Sequence, residues 1–390
     1  MSLKKILMNL SAAVLKASER LFRGRRFTPR PDEANSILIL EYMLPLGCCV
    51  HLTPIYEAIK QARPSATITV ATRGLGAALL QHNPFIDHLI QTPDPLTDLR
   101  AAHKSLVHSL SRRNLRPNCC FTGASDQRTR IALLGLLAGA GWRGGFTQSP
   151  QLYHRPLQYQ PDRSLIDNNL QLLSLLGLPQ HHVEPRVFFS AAEVALARTL
   201  TRSANPEGKP LLVMVTQNSG GQSTGWHIER FAEVIRHAHD VLGCAIIYAG
   251  TASDFYAIEQ IRSAAGEIGT SLAGQTSVPE LAALLALSDA AVSLDTGTMH
   301  VGRAVGIPMV IIGPSWQRPN EWLPLGQPHV RILRGPDRTD IPKGYRLDEV
   351  HAADVIAALE DLLITHPPSL TSRNARLQAN TSTTDHSHTA

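Results

Sequence analysis

Residues Val292 to Pro308 read VSLDTGTMHVGRAVGIP. A small-apolar run ends at Asp295-Thr-Gly-Thr, and the helical pattern MHVGRAVG follows until Gly306 and Pro308 stop it. Asp-Thr-Gly-Thr suits two very different settings. An aspartic protease needs two such loops, or a dimer, on an all-β framework. Here the loop occurs once, between a buried-strand pattern and a helix pattern, so the protease reading is set aside. In a strand–turn–helix setting, the main-chain amides of Thr296, Gly297, Thr298 and Met299 lie at the positive end of a helix dipole. That arrangement binds diphosphate without a metal. His300 and the hydroxyls of Thr296 and Thr298 add donors. The competing reading is that Asp295 or Thr296 only caps the helix, with His300 packed in its first turn.

The surroundings repeat the same grammar. PLLVMVT (210–216), CAIIYAG (244–250), DAAVSL (289–294) and PMVIIG (308–313) are near-continuous apolar runs, as parallel strands covered on both faces require. Helical patterns alternate with them: WHIERFAEVIRHAHDVLG, SDFYAIEQIRSAAG and SVPELAALLALS. Towards the amino terminus a first series precedes them. SILILE (36–41), ATITVA (66–71), IDHLI (86–90) and NCCFT (118–122) read as strands. A helix is expected from about Leu52 to Ala62, another at 128–140, and a third at 161–179 ended by Gly177 and Pro179. The class is therefore α/β, with two Rossmann-like domains and ligands expected in an interdomain cleft at strand carboxyl ends. The expected divisions are a leader (1–35), an amino-terminal domain (36–185) and a carboxy-terminal domain (186–346). A closing helix (347–366) and a disordered tail (367–390) complete them, with 181–209 as linker.

Composition narrows the function classes. The chain has 390 residues, enough for two cores, and carries a net charge of +5. That charge is not spread as a nucleic-acid surface would need. Residues 1–30 hold eight Lys or Arg against Glu19 alone, so the rest of the chain is slightly acidic. No nucleic-acid partner is expected. The leader is also amphipathic, with Leu3, Leu7, Leu10, Val14, Ala17 and Leu21 at helical spacing, and suits an anionic membrane surface. A plain solvated arm and a short signal peptide are the competing readings. Five cysteines, four of them in adjacent pairs and none in a CxxC spacing, indicate reduced buried thiols in a cytosolic protein.

The region 270–315, TSLAGQTSVPELAALLALSDAAVSLDTGTMHVGRAVGIPMVIIGPS, resembles the donor-binding part of glycosyltransferase family 9, which includes lipopolysaccharide heptosyltransferases. That family reads Leu-Ala-Gly, a Leu-Ala-rich helix, a strand, then Asp-Ser/Thr-Gly-Pro-x-His, a helix, Gly-x-Pro, a strand and Gly-Pro. Only Thr298 departs, standing where Pro is usual. The Leu-Gly turn, Thr-Pro helix start and Asn-Pro-x-Ile-Asp of the first domain agree too, as does NSGGQSTGWHIERFAEVI at the second. The resemblance covers roughly residues 36–330. It implies a GT-B fold and an inverting, metal-independent transfer without a cofactor. The nucleoside-diphosphate sugar is the substrate, and a glycolipid or oligosaccharide of the cell surface is the acceptor. Work at the cytoplasmic face of the inner membrane is expected, and heptose is the family's best-known sugar. Asn218 and Trp226 keep family positions on the donor side.

Two departures fall at the chemistry. The family places Asp, resembling its general base, after the first Leu-Gly, where this chain has Cys48. A thiol is a poor proton acceptor beside a carboxylate. Glu41 and His51 are the candidate replacements, against readings as an exposed strand end and a helix-start residue. The family commonly has Lys two residues before the Trp. Here Thr224 stands there, with Lys209 or Arg230 as possible compensation. A GT-B scaffold that binds a nucleotide or an assembly partner without turnover is the alternative, and a nucleotide-sugar epimerase of the same build is a third reading.

Overall fold

Strands buried on both faces need apolar residues throughout. In the computed structural model, which describes residues 31–43, 45–218 and 225–387, such runs form two six-stranded parallel sheets. The first contains β1 (Ser36–Leu40), β2 (Thr67–Thr72), β3 (His88–Gln91), β4 (Cys119–Thr122), β5 (Trp142–Phe146) and β6 (Arg155–Leu157). Their order is β3-β2-β1-β4-β5-β6. The second contains β7 (Leu211–Val215), β8 (Ala245–Tyr248), β9 (Thr270–Ser271), β10 (Ala290–Leu294), β11 (Met309–Ile312) and β12 (Val330–Leu333), in the order β12-β11-β10-β7-β8-β9. Registers are regular: Ile37 faces Ile68 and Cys119, and Ala291 faces Val213 and Met309.

Each sheet belongs to its own compact unit. Pro185 ends the first unit and Arg186 opens the second, Pro45–Val50 belong with the second, and from Asp385 the chain returns to the first. Both sheets reverse their winding once. In the first the reversal lies between β1 and β4, in the second between β7 and β10. The loops leaving such neighbouring strands diverge, and ligands of open α/β sheets bind in the crevice this creates.

Several expectations need correction. The helix expected from about Leu52 to Ala62 runs from Pro54 to Ala62, and a further helix, Leu46–Leu52, not anticipated, precedes it. Pro54 has no amide proton to continue the first helix, and it starts the second at the position proline favours. The expected linker contains a helix, Ala191–Ala204, whose Ser190–Glu193 capping box fixes its start and which lies against Val278–Leu287.

The described part of the tail, residues 367–387, is ordered, against expectation. Leu370–Asn380 is a helix capped by Ser369, whose Oγ accepts from Ser372 N at 3.0 Å. Its polar composition suggests disorder, but tertiary bonds order it. Arg373 Nε donates to Asp289 Oδ1 at 2.8 Å, Arg376 Nε to Ala286 O at 3.1 Å, and Phe189 N to Asn380 O at 3.1 Å.

Strands β5, β6, β9 and β12 were not anticipated. In β5 the pair Gly144-Gly145 hides the pattern, and the glycines are there for space. A Cβ on Gly145, whose φ is +114°, would lie 2.3 Å from Thr122 O. All five cysteines are buried and free of disulfides. The amphipathic leader, residues 1–30, lies outside the described residues. Among the described residues, no helix is long and apolar enough to cross a membrane.

Candidate functional site

Strand β10 is buried along its whole length and ends at Leu294, directly before Asp295. Thr296, in extended conformation, is the N-cap of the helix Gly297–Val305, and its Oγ1 accepts from Thr298 N at 3.1 Å. Gly306, with φ of +74°, ends the helix in the left-handed conformation that glycine tolerates. The capping reading of Thr296 is therefore correct, and the hydroxyl satisfies the Thr298 amide. Helical amides at this end have no intrahelical acceptor, so the helix head remains a donor surface. Gly297 and Thr298 are half-buried, whereas the Met299 side chain is buried in the core.

Asp295 and His300 are each 4% exposed, and Nε2 of His300 lies 3.7 Å from Oδ1 of Asp295. A charged pair at that spacing would lower the carboxyl pKa and raise the imidazole's. The reverse holds. Burial pushes Asp295 up to about 6, while burial and the Arg303 charge push His300 down to about 3. The separation is too long for a hydrogen bond, so loss of solvation outweighs mutual attraction. His300 is thus a neutral imidazole at pH 7, and Asp295 Oδ2 is buried with no hydrogen-bond partner. The Trp322 ring lies 6.0 Å from the imidazole, tilted by 58°.

Pro45–Val50 closes on this helix head within the second unit. A Cβ on Gly297 would lie 2.8 Å from Leu46 Cβ, and a Cβ on Gly47 would lie 2.4 Å from His300 Cδ2. Asn218 follows β7, so the winding reversal between β7 and β10 brings its strand end beside that of Asp295. Thr224 lies outside the described residues.

Trp226 is not brought to this place. Its indole is in the core, donating from Nε1 to Val350 O at 2.9 Å and meeting Phe231 edge-on at 4.8 Å. A buried indole N–H needs an acceptor, and that carbonyl supplies it. Nor do the two compensating cations lie here. Lys209 pairs with Glu207 at the opposite end of β7, and Arg230 donates to the carbonyls of Asp348 and Val350.

The base candidates sit differently from their expected settings. Glu41 is buried rather than an exposed strand end. Its amide donates to Ala71 O, and its Oε2 accepts from the Tyr56 hydroxyl. His51 is fully buried in the last turn of Leu46–Leu52, not at a helix start, and its carbonyl accepts from Asn169 Nδ2 at 2.9 Å. Cys48 occupies the first turn of that helix, 9% exposed. Sequence reasoning also missed the tie made by Asp126, whose Oδ1 accepts from the amides of Tyr42 and Met43. The turn residues after the buried strand β4 (Gly123, Ala124, Ser125) were the available signal for it. Among the described residues, no group of three His, Cys, Asp or Glu side chains could hold a metal ion.

The family model described as "Glycosyltransferase family 9 (heptosyltransferase)" matches residues 127–339, more than half of the chain. The chain belongs to glycosyltransferase family 9. Lipopolysaccharide heptosyltransferase 3 of Escherichia coli (strain K12) is 24% identical over 353 residues, covering 83% of this chain and 97% of that protein. The crystal structure of the family 9 glycosyl transferase from Veillonella parvula DSM 2008 is similar, with a TM-score of 0.76. It is 19% identical and covers 85% of this chain and 98% of that one. The E. coli heptosyltransferase WaaC with ADP-2-deoxy-2-fluoro heptose gives a TM-score of 0.63 at 16% identity, covering 84% and 99%. The two-sheet GT-B fold and the glycosyltransferase class expected from the sequence are both established. Family membership favours the transferase over the binding-only scaffold.

The buried Asp295 carboxyl makes this chain less stable as pH rises. Unfolded, it titrates near 3.8; folded, near 6. Its contribution is therefore greatest below pH 3.8 and is lost as pH rises through about 6, a loss of roughly 3 kcal/mol. Asp295→Asn keeps the shape without the buried charge. It is expected to raise the unfolding midpoint at pH 8 and leave it unchanged near pH 4. Equal effects at both pH values would show that the carboxyl is not held in its acid form.

Proposed function

We propose that this enzyme transfers heptose from ADP-heptose to a lipopolysaccharide acceptor, inverting the anomeric carbon without a metal ion. The observation that carries the proposal is the neutral, buried His300 beside Asp295 at the head of Gly297–Val305, where β7 and β10 part. Preorganised amides and a neutral imidazole suit a leaving diphosphate. They stabilise developing negative charge at no cost of reorganisation. The sugar and nucleotide are taken from the names of relatives, a lipopolysaccharide heptosyltransferase and WaaC with an ADP-heptose analogue.

In this reading an acceptor oxygen attacks C1 of the donor while its proton passes to a base. The bond from C1 to the diphosphate oxygen breaks, and ADP leaves with the electron pair. Asn218, the amides from Thr296 to Met299, and His300 hold the diphosphate, with Thr224 at its family position. Asp295, whose Oδ2 has no hydrogen-bond partner among the described residues, is left to accept from the donor. The basic leader, residues 1–30, keeps the enzyme on the anionic cytoplasmic face of the inner membrane, near a lipid-linked acceptor.

Calorimetric titration with ADP, UDP, GDP and dTDP tests the donor site. ADP is expected to bind at least tenfold more tightly than the others, and Asp295→Ala with His300→Ala to lose that binding. Preference for another nucleotide would overturn the ADP-heptose assignment. Undiminished binding by the double variant would move the site elsewhere.

A further inference from the structure

Beyond its leader the chain is slightly acidic, yet from Leu99 to Ser125 it has five Lys or Arg and no Asp or Glu. Three of these cations lie on the helix Leu99–Arg112 of the first unit. That helix turns Ala102, Leu106 and Leu110 into the core and leaves Arg100, Lys104, Val107, His108, Ser111 and Arg112 exposed. Positions 100, 104, 108 and 112 follow at one-turn spacing, so they line a single face about 18 Å long. Arg116, just beyond the helix, is exposed as well. Helix energetics oppose this placement. Arg100 and Lys104, four apart, repel each other, and Arg100 stands in the first turn, where the dipole disfavours a cation. Neither charge is neutralised: among the described residues, the side chains of Arg100, Lys104 and Arg112 form no ion pair. The helix Ile228–Asp240 of the second unit is built differently, with Glu229, Glu233 and Asp240 interleaved with Arg230 and Arg236. Two apolar side chains are exposed among the cations of the first unit. His103 Nε2 donates to Leu137 O at 3.2 Å, and Leu137 and Val107, one turn on from His103, are each 38% exposed.

We propose that the exposed face of Leu99–Arg112, with Arg116, docks the first unit on an anionic lipid bilayer, as a contact separate from the leader. A bilayer offers anionic headgroups over a plane, which suits cations spread along a helix face rather than gathered round a pocket. Val107 and Leu137 can meet the boundary between headgroups and acyl chains, where apolar side chains are accommodated. The phosphate backbone of a nucleic acid has no counterpart for them. A flexible segment tethers a domain in any orientation, whereas a face on a folded helix sets one. The unpaired charges that cost the isolated helix stability are thus matched by the surface it meets. The assignment deepens the membrane part of the functional reading and does not depend on which sugar is transferred.

Flotation of the full chain with vesicles of phosphatidylethanolamine and phosphatidylglycerol tests this. The triple variant Arg100→Gln, Lys104→Gln, Arg112→Gln is expected to weaken partitioning about a hundredfold, near fivefold for each cation. It should melt no lower than the wild type, because a repulsion is removed. A matched variant, Arg198→Gln, Arg202→Gln, Lys343→Gln, removes the same charge from exposed positions of the second unit and should partition nearly as the wild type. Wild-type binding should fall steeply with added salt and be weak on phosphatidylcholine alone. Unchanged partitioning of the first variant overturns the proposal and leaves lipid contact to the leader. An equal loss in both variants overturns it in favour of net charge alone. Wild-type binding that salt does not weaken overturns it whether or not any variant folds. Tight binding to duplex DNA by a wild type that ignores the vesicles would assign the face to nucleic acid instead. The first variant should still bind nucleoside diphosphate like the wild type. A wild type that binds no nucleotide but floats as expected strikes the transfer reading and leaves the membrane face standing.

Discussion

Gly47→Ala is expected to lower kcat/KM by about a hundredfold and to weaken nucleotide binding. Helix propensity alone predicts a benefit. Gly47 lies inside the helix Leu46–Leu52, where alanine is favoured over glycine by roughly 1 kcal/mol. Space decides the other way. The new Cβ would lie 2.4 Å from His300 Cδ2 and 2.9 Å from Nε2. Ordinary carbon contacts are about 3.5–4.0 Å, so one partner must move by about 1 Å. His300 is enclosed and Gly47 is held in a helix, so the imidazole is displaced from the helix head. A displacement of that size commonly reduces rate by about 10². Calorimetry and initial rates on the purified variant check this. Wild-type activity in Gly47→Ala would mean that the segment is free to shift and that His300 does not depend on it.

Asp289→Ala is expected to destabilise the second unit by about 3–5 kcal/mol, read from the denaturation midpoint. Asp289, just before β10, accepts from Leu211 N at 2.7 Å at the start of β7 and binds both Arg373 Nε and the terminal guanidinium nitrogen. Its truncation leaves a buried amide without its acceptor and an arginine without its carboxylate. Arg373→Ala should be milder, because Asp289 keeps the Leu211 bond. The double variant should fall well short of the sum of the two, since the sites share one interaction. A loss below about 1 kcal/mol for Asp289→Ala would show that the carboxy-terminal helix stands without this tie.

What the sequence displays and what it hides divide along a physical line. Strands β1, β7, β10 and β11 are visible because each is buried on both faces and so is apolar at nearly every position, Ser36 and Ser293 being the exceptions. The Asp295 turn is visible because strand, cap and helix are adjacent in the chain. By contrast, Trp226 owes its place to a carbonyl at Val350, and Asp126 owes its meaning to amides at Tyr42 and Met43. No local pattern encodes partners so far away. The helix Leu370–Asn380 is hidden for the same reason, since its arginines bind Asp289 and the carbonyls of Ala286 and Ser288. Strand β5 is masked by glycines that its neighbour requires for room.

The buried cysteines make each sheet its own timekeeper. Cys119 and Cys120 lie in β4 of the first sheet, and burial pushes both thiols up to about 12. Cys244 immediately precedes β8 of the second, pushed up to about 11. Only a thiolate attacks an alkylating or disulfide reagent at an appreciable rate. In the folded chain these thiols are both protonated and out of reach, so reagent is consumed only during excursions in which a sheet opens. Mass analysis of labelled peptides then reports how often each sheet breathes, without any engineered probe.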